Sequence, residues 1–306
     1  MDPGESIFEI VTTTAGAVSI RNKVVNEIMH NPVGPWREAN DLYISQSNLR
    51  ERLRRHNGEK LVLFDVGLGA ASNAIAACEA RRSLGREGAA LHVVSFENNL
   101  DLLAFALREA RHFPHMRDYV EPLTCLLERR SWSDPDGMIR WELRPGDFLS
   151  LIEREPEMAH VVFYDPYSPA VNGDMWTVAA FSGLRARCSD ETLCLTYSVA
   201  TKIRAAMLIA GFYTGQGAAT GLKKETTQFA TAMELLTSPF GRDWFGRWVR
   251  SHTRAPIGSA PEDQATLDRT VMEHPQMAPW LLEAETLALK AFPGRRLGTQ
   301  AVRDVN

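Results

Sequence analysis

One Gly-x-Gly turn and three carboxylates stand at matching places in this chain, each just after a short apolar run. The run Leu61–Val66 ends in Gly67-Leu68-Gly69, and Glu97 closes Leu91–Phe96. Asp147 follows Gly146 beyond Ile139–Leu143, and Asp165 closes Val161–Tyr164. Glycines let backbone amides approach a ligand, because a Cβ would fill that space. A carboxylate at the end of a second strand accepts hydrogen bonds from a ribose diol. Asp147 has the chemistry to accept from an exocyclic amine, and Asp165 stands where a reacting group would lie. Each also has a plainer reading. Gly-x-Gly is a common tight turn, Glu97 a solvated strand end, and Asp147 the N-cap of a helix starting at Phe148. Asp165 before Pro166 is an ordinary turn start. In this order and spacing, together they favour a nucleoside cofactor.

The surrounding residues narrow the nucleoside. A dinucleotide loop would carry a third glycine, where this chain has Ser72, and no GxxxxGK[ST] phosphate loop occurs. An adenosyl cofactor without phosphates suits a short glycine turn, carboxylates at strand ends and no basic clamp. S-adenosylmethionine is the natural candidate, and its sulfonium favours a nearby carboxylate and aromatic faces.

Such residues need a sheet to carry them. Apolar runs over 61–66, 91–97, 139–143, 161–165 and 193–197 read as buried parallel strands, the first ending in the glycine turn. Helices are expected over 70–82, 99–111 and about 201–210, with a final antiparallel pair from 211–213 and 226–230. Residues 112–138, rich in charge, Pro and Trp, read as an irregular insertion with a short helix. This alternation means βαβ units, right-handed crossovers and ligands beyond the carboxyl ends of the strands. The expected division is an N-terminal extension over 1–58, a core over 59–255, and a linker with a helical tail over 256–306. Turn clusters fall at Thr12–Gly16 and Asn31–Pro35, the linker carries Pro256, Gly258 and Pro261, and the tail helix is expected over about 279–291.

Composition excludes several classes. With 44% hydrophobic and 24% charged residues, the chain of 306 residues is not wholesale disordered. No apolar run approaches the roughly 20 residues of a membrane span, and MDPGESIFEI lacks the pattern of a secretion signal. Cys78, Cys125, Cys188 and Cys194 form no CxxC pair and read as reduced packing thiols of a cytoplasmic protein, with no metal expected. The net charge of −4 suggests no nucleic-acid field, yet it is unevenly spread. Residues 199–254 hold eight Lys and Arg against three Asp and Glu, leaving −9 for the remainder. That segment is either a solvated helical face or an RNA-facing patch. Trp244 and Trp248, four residues apart, read as core anchors.

Two stretches resemble the MnmC-like methyltransferases. Phe64-Asp65-Val66-Gly67-Leu68-Gly69-Ala70-Ala71-Ser72-Asn73 is similar to that family's cofactor loop. Asp165-Pro166-Tyr167-Ser168-Pro169-Ala170-Val171-Asn172-Gly173-Asp174-Met175-Trp176 is similar to its aspartate motif. Thr196-Tyr197-Ser198, Arg204, Ala210-Gly211-Phe212, Met29-His30, Glu38-Ala39 and Trp244–Trp248 extend the likeness over about residues 10–255. Gly173 stands where the family usually has Pro, Val171 where Lys is common, and Gly217–Glu225 where a basic GxGxKRE-like segment lies.

The resemblance implies an α/β class I methyltransferase fold, Rossmann-like, with a mostly parallel seven-stranded sheet and helices on both faces. It implies S-adenosylmethionine held by Asp65, Gly67, Gly69, Asn73, Glu97, Asn98, Gly146, Asp147, Phe148 and Asp165. Family members methylate 5-aminomethyl-2-thiouridine at the tRNA wobble position, so the expected partner is a tRNA anticodon loop. In two-domain members a flavin-dependent oxidase follows; this chain resembles the stand-alone type. Asp165 and Tyr197 are the expected catalytic residues, Asp165 holding the amine and taking its proton. His30, Glu38, Tyr167, Ser168, Pro169, Asn172, Lys223 and Lys224 are the expected substrate contacts. Alternatives are a same-fold methyltransferase acting on a small molecule or peptide, and a cofactor-binding partner protein without catalysis. A nicotinamide-dependent oxidoreductase is disfavoured by the missing third glycine.

Overall fold

Both faces of the strand Lys60–Val66 are apolar in the computed structural model, which describes residues 6–29, 33–221 and 224–280. Leu61 and Leu63 belong to one hydrophobic core, and Val62, Phe64 and Val66 to another. A strand buried on both sides needs helices above and below it.

The chain opens with β1 (Phe8–Thr12), β2 (Val18–Asn22) and β3 (Glu27–Ile28), which form a small antiparallel sheet. The first expected turn cluster is its hairpin loop, closed by Gly16 N–H donating to Thr13 O at 2.9 Å. Next come α1 (Pro35–Glu38), a π-helical stretch over Ala39–Ser45, and α2 (Leu49–Arg55). The central unit follows as β4 (Lys60–Val66), α3 (Ser72–Arg82), β5 (Ala90–Glu97) and α4 (Asp101–Arg108). It continues through α5 (Val120–Arg129), β6 (Ser131–Ser133), β7 (Ile139–Pro145), α6 (Phe148–Ile152) and β8 (Ala159–Tyr164). Then come α7 (Val178–Arg185), β9 (Cys188–Thr196), α8 (Thr201–Ile209), β10 (Tyr213–Gly217) and β11 (Thr226–Ala230). Helices α9 (Arg242–Arg250) and α10 (Gln264–Glu273) complete the described elements.

The main sheet has the order β10-β11-β9-β8-β4-β5-β7-β6. Strands β7, β5, β4, β8 and β9 run parallel, and β11 lies antiparallel between β9 and β10. This is the expected mostly parallel architecture with one correction, since the sheet has eight strands and not seven. The eighth is β6, whose Trp132 pairs with Trp141 of β7 in antiparallel register. It lies in the segment read as irregular, whose expected short helix is α5, ten residues long with Leu123 and Leu126 buried. Helices α1 to α5 cover one face, and α6 to α8 the other.

The chain winds outward from β4 to β5 and β7, then returns to place β8 on the other side of β4. The carboxyl ends of β4 and β8 flank this switch point, where an open sheet leaves a crevice. Asp165 N–H donates to Val66 O at 2.8 Å, and Gly67 N–H to Phe96 O at 3.0 Å, tying three strand ends together.

Beyond β11, Trp244 and Trp248 are buried with Phe240 and Met277, as core anchors should be. Gln276 accepts from Thr214 N–H at 2.7 Å and donates to Phe240 O at 2.8 Å, so it covers part of the outer edge of β10. Arg254 pairs with Asp268 at 2.8 Å, and Ile257 bridges Thr177, so residues 254–276 lie against the core. Most of the helix expected over 279–291 lies outside the described residues. All four cysteines are free and buried.

Gly67 has φ +91°, and a Cβ there would stand 2.6 Å from Asp165 O and 2.9 Å from its carbonyl carbon. Left-handed backbone costs a non-glycine residue about 1–2 kcal/mol before any collision. Gly67→Ala is therefore expected to lose at least about 2 kcal/mol of unfolding free energy in urea titration, because the opposing atoms are backbone that cannot rotate away.

Candidate active site

A cavity of about 700 Å³ opens at the carboxyl ends of β4, β5, β7 and β8, within the roughly 300–1,000 Å³ usual for small-molecule sites. The sheet supplies its floor through Gly67, Gly69, Glu97, Asn98, Gly146, Asp147 and Phe148. The N-terminal segment supplies a wall through Phe8, Asn22, Glu27, Met29 and Glu38. The loop after β8 supplies the remainder through Asp165, Tyr167, Ser168 and Asn172, with Tyr197 from the end of β9.

Glu97 is prepared to accept hydrogen bonds. Gly69 N–H donates to its Oε2 at 3.0 Å and Asn99 N–H to its Oε1 at 3.1 Å. Each carboxylate oxygen keeps a further lone pair for a ligand hydroxyl. Burial raises the Glu97 pKa, against the lowering effect of these amides. Asp147 takes the capping role and the cavity role together. Its Oδ2 accepts from Ser150 N–H at 3.0 Å at the start of α6, while the residue lines the cavity. Gly67 serves differently from the simple expectation, since the space freed by its missing Cβ is filled by the Asp165–Pro166 backbone.

Asp65 and Asn73 lie behind this surface and not on it. Asp65 is fully buried, and its Oδ2 accepts from Ser95 Oγ at 2.7 Å, which in turn accepts from Trp141 Nε1 at 2.9 Å. Asn73, near the start of α3, donates from Nδ2 to Asp165 Oδ2 at 2.8 Å. That bond orients the carboxylate from the far side of the Gly-rich turn.

The Asp165 loop is pinned from within. Trp176, fully buried, donates from Nε1 to Tyr167 O at 2.9 Å, and the Tyr164 hydroxyl donates to Met175 O. Val171 and Asn172 N–H groups both donate to Ser168 O at 2.9 Å. From outside, Asn22 Nδ2 donates to the Tyr167 hydroxyl at 3.3 Å and the Ser168 hydroxyl donates to Glu27. Tyr197 donates to Pro166 O at 3.0 Å, and its ring meets Trp176 edge-on at 5.6 Å. Burial and then the charge of Asp165 push the Tyr197 phenol up, so it stays protonated at neutral pH.

Among the expected substrate contacts, Glu38, Tyr167, Ser168 and Asn172 line the cavity. Pro169 does not line it. Lys224 is exposed in the loop before β11. It is not in the cavity wall, but the pairing of Thr227 with Thr196 sets that loop at the carboxyl end of β9. His30 and Lys223 lie outside the described residues. Reasoning from sequence missed Asn22, Glu27 and Tyr43. Glu27 is in a two-residue strand with no periodicity to mark it. Tyr43 sits in the apolar run Leu42-Tyr43-Ile44, fully buried against Phe163 at 5.0 Å, and looks like plain core. Burial, then the charges of Asp165 and Glu38, raise its pKa well above the ordinary tyrosine value.

Six acidic residues line the cavity, namely Glu27, Glu38, Glu97, Asp147, Asp165 and Asp174. Among the described residues no Lys, Arg or His does. This wall suits cationic ligands and opposes phosphates. Among the described residues no helix is long and apolar enough to cross a membrane, and no three His, Cys, Asp or Glu side chains are grouped to hold a metal ion.

Comparison with known proteins agrees with this geometry. Residues 99–232 match the model of a family described as S-adenosyl-L-methionine-dependent methyltransferase. Over 206 residues, 61% of this chain, it is 27% identical to the tRNA 5-methylaminomethyl-2-thiouridine biosynthesis bifunctional protein MnmC of Aeromonas hydrophila. Over 241 residues, 74% of the chain, it is 24% identical to the protein of the same name from Burkholderia mallei. These matches cover 30% and 34% of the relatives' own lengths, so the chain corresponds to about a third of each. The crystal structure of MnmC2 from Aquifex aeolicus shares the fold, with a TM-score of 0.67, 22% identity, and coverage of 93% of this chain and 87% of that one. Fold and family match together give a class I S-adenosylmethionine-dependent methyltransferase. Within that class, the chain is similar to the MnmC proteins.

The residues present fit such a cofactor, since Glu97 keeps lone pairs that would accept a diol and the carboxylates of the wall would attract a sulfonium. Because burial raises the Glu97 pKa, acidification protonates it before an ordinary glutamate and removes a ribose acceptor. S-adenosylhomocysteine affinity, measured by calorimetry from about pH 8 down to about pH 5, is expected to fall with an inflection above the free-carboxylate range. In Glu97→Gln the affinity should be at least about tenfold weaker at neutral pH and nearly flat with pH. An unchanged profile in the variant would remove Glu97 from the ribose site.

Proposed function

We propose that this protein transfers a methyl group from S-adenosylmethionine to the primary amine of 5-aminomethyl-2-thiouridine at the tRNA wobble position. The observation that carries this reading is the acidic wall of the cavity, with no described cation in it. Both partners in such a reaction are positively charged on entry, one a sulfonium and the other an ammonium. The names of the MnmC relatives support the choice of acceptor.

When bound, the cofactor supplies an activated methyl group on a sulfonium. Glu97 would hold its ribose, Asp147 and Phe148 would flank the base, and Gly69 would leave room for it. Asp65 and Asn73 would act indirectly, by buttressing β4 and by orienting Asp165. An alkylammonium has a pKa near that of lysine, roughly 10.4, and must lose its proton before it can attack. Asp165, held by Asn73 at 2.8 Å, would hold the amine and pass its proton to solvent. Tyr167 and Asn172 would orient the base, and Tyr197 would close the far side while bracing Pro166.

An anticodon loop presents unpaired bases, so the acceptor reaches a pocket without breaking a duplex. Phosphates would have to stay outside this acidic cavity. Lys224 at the carboxyl edge of the sheet, with Arg247 and Arg250 exposed on α9, offers cations for them. Arg204 and Arg254 are less suited, being paired with Glu225 and Asp268. A tRNA substrate would put the enzyme in the cytoplasm.

The test is mass spectrometry of nucleosides from tRNA carrying 5-aminomethyl-2-thiouridine, incubated with protein and cofactor. One added methyl group on that nucleoside is expected. Asp165→Asn should slow transfer by about 100-fold or more, with S-adenosylhomocysteine affinity changed by less than about threefold. Near-normal turnover in the variant would overturn the role of Asp165, and no methylation by the wild type would overturn the choice of acceptor.

A further inference from the structure

Tyr43 belongs to the π-helical stretch over Ala39–Ser45, which packs on α3. The residue is fully buried, and its ring meets Phe163 of β8 at 5.0 Å, just before Asp165 in the chain. Its hydroxyl is hydrogen-bonded to the Asp165 carboxylate. Burial and the charges of Asp165 and Glu38 keep the phenol protonated, so the hydroxyl donates and the carboxylate accepts. Asp165 lines the cavity and Tyr43 does not, so this bond reaches the carboxylate from the protein side.

Asp165 thus accepts from two elements that are remote from it in sequence. Asn73 of α3 donates to its Oδ2 at 2.8 Å, and Tyr43 donates from the π-helical stretch. Donors from two directions fix the plane of a carboxylate, because turning it would break both bonds. Hydrogen bonds to the charged form also favour that form. A side chain that has to receive a proton at one place gains from both effects, since a small misplacement of a reacting group slows a reaction steeply.

We propose that Tyr43 is a positioning residue for methyl transfer, holding the Asp165 carboxylate in the orientation that meets the acceptor amine. It stands outside the cavity wall and acts through Asp165. This rests on the amine-methylation reading and adds to it the group behind the proton acceptor. The competing role is plain core, in which the hydroxyl only satisfies itself on a nearby oxygen. Tyr43→Phe separates the two, since the ring keeps its packing on Phe163 and only the donor is lost.

The test is a double-mutant cycle with Asp165→Asn, read as methyl transfer to tRNA carrying 5-aminomethyl-2-thiouridine. In Tyr43→Phe, kcat is expected to fall about tenfold or more. KM for tRNA and the affinity for S-adenosylhomocysteine should stay within about threefold, and the latter also reports an intact fold. On the Asp165→Asn background the same substitution should change kcat by less than about twofold, because an amide takes no proton in any orientation. A near-normal kcat in Tyr43→Phe, or equal losses on both backgrounds, overturns the proposal. A second cycle needs no acceptor. Tyr43→Phe and Asp165→Ala should be coupled by at least about tenfold in the unfolding equilibrium constant from urea titration, as a hydrogen bond to a charged group requires. Additive losses there overturn the proposal as well. Should that coupling be present while the wild type leaves the tRNA nucleoside unmethylated, the tRNA reading falls and the placement of Asp165 by Tyr43 stands.

Discussion

The backbone of Gly67 rests against the backbone of Asp165, and the geometry of the site depends on that contact. It joins the ends of β4 and β8 at the point where the sheet order reverses. Only a residue without a Cβ, at φ +91°, permits it. The Gly-rich turn then delivers Asn73 to Asp165 and the Gly69 amide to Glu97. One steric allowance therefore sets the spacing between the Asp165 and Glu97 carboxylates.

Charge is the second organising feature. The cavity wall is acidic, whereas the exposed cations of α9 and of the loop before β11 lie outside that wall. A molecule with a net charge of −4 thus pairs an interior suited to sulfonium and ammonium with outer cations suited to phosphate. The arrangement also bears on the chemistry. Carboxylates attract an ammonium but favour its protonated form, so methylating an amine here would need one of them positioned to let the proton go. Asp165, anchored through Asn73 on a loop braced by Trp176, is held in a way that suits that role.

The N-terminal segment completes the pocket. Asn22 and Glu27 bond the Asp165 loop across about 140 residues of sequence, and Tyr43 and Glu38 close the space behind it. A central α/β sheet leaves its crevice open at the strand ends, and this small antiparallel sheet supplies the missing wall. The relatives' names describe bifunctional proteins of which this chain matches about a third.

Much of this was legible in the order of residues. Apolar runs ending in Gly67, Glu97, Asp147 and Asp165 specify parallel strands with functional groups at one end, because periodicity and turn chemistry are local properties. The Asp165–Trp176 stretch was legible for the same reason, as a contiguous motif. The tertiary structure alone decided three things. It showed β6 as an eighth strand, since a three-residue strand acquires meaning only from the partner beside it. It separated Asp65 and Asn73, which support the site, from Glu97 and Asp165, which line it. It also brought Glu27 into the pocket and packed Tyr43 against Phe163, residues whose neighbours are distant in sequence. A side chain's charge can be read from its letter, but the field it meets is set by which segments the fold packs together.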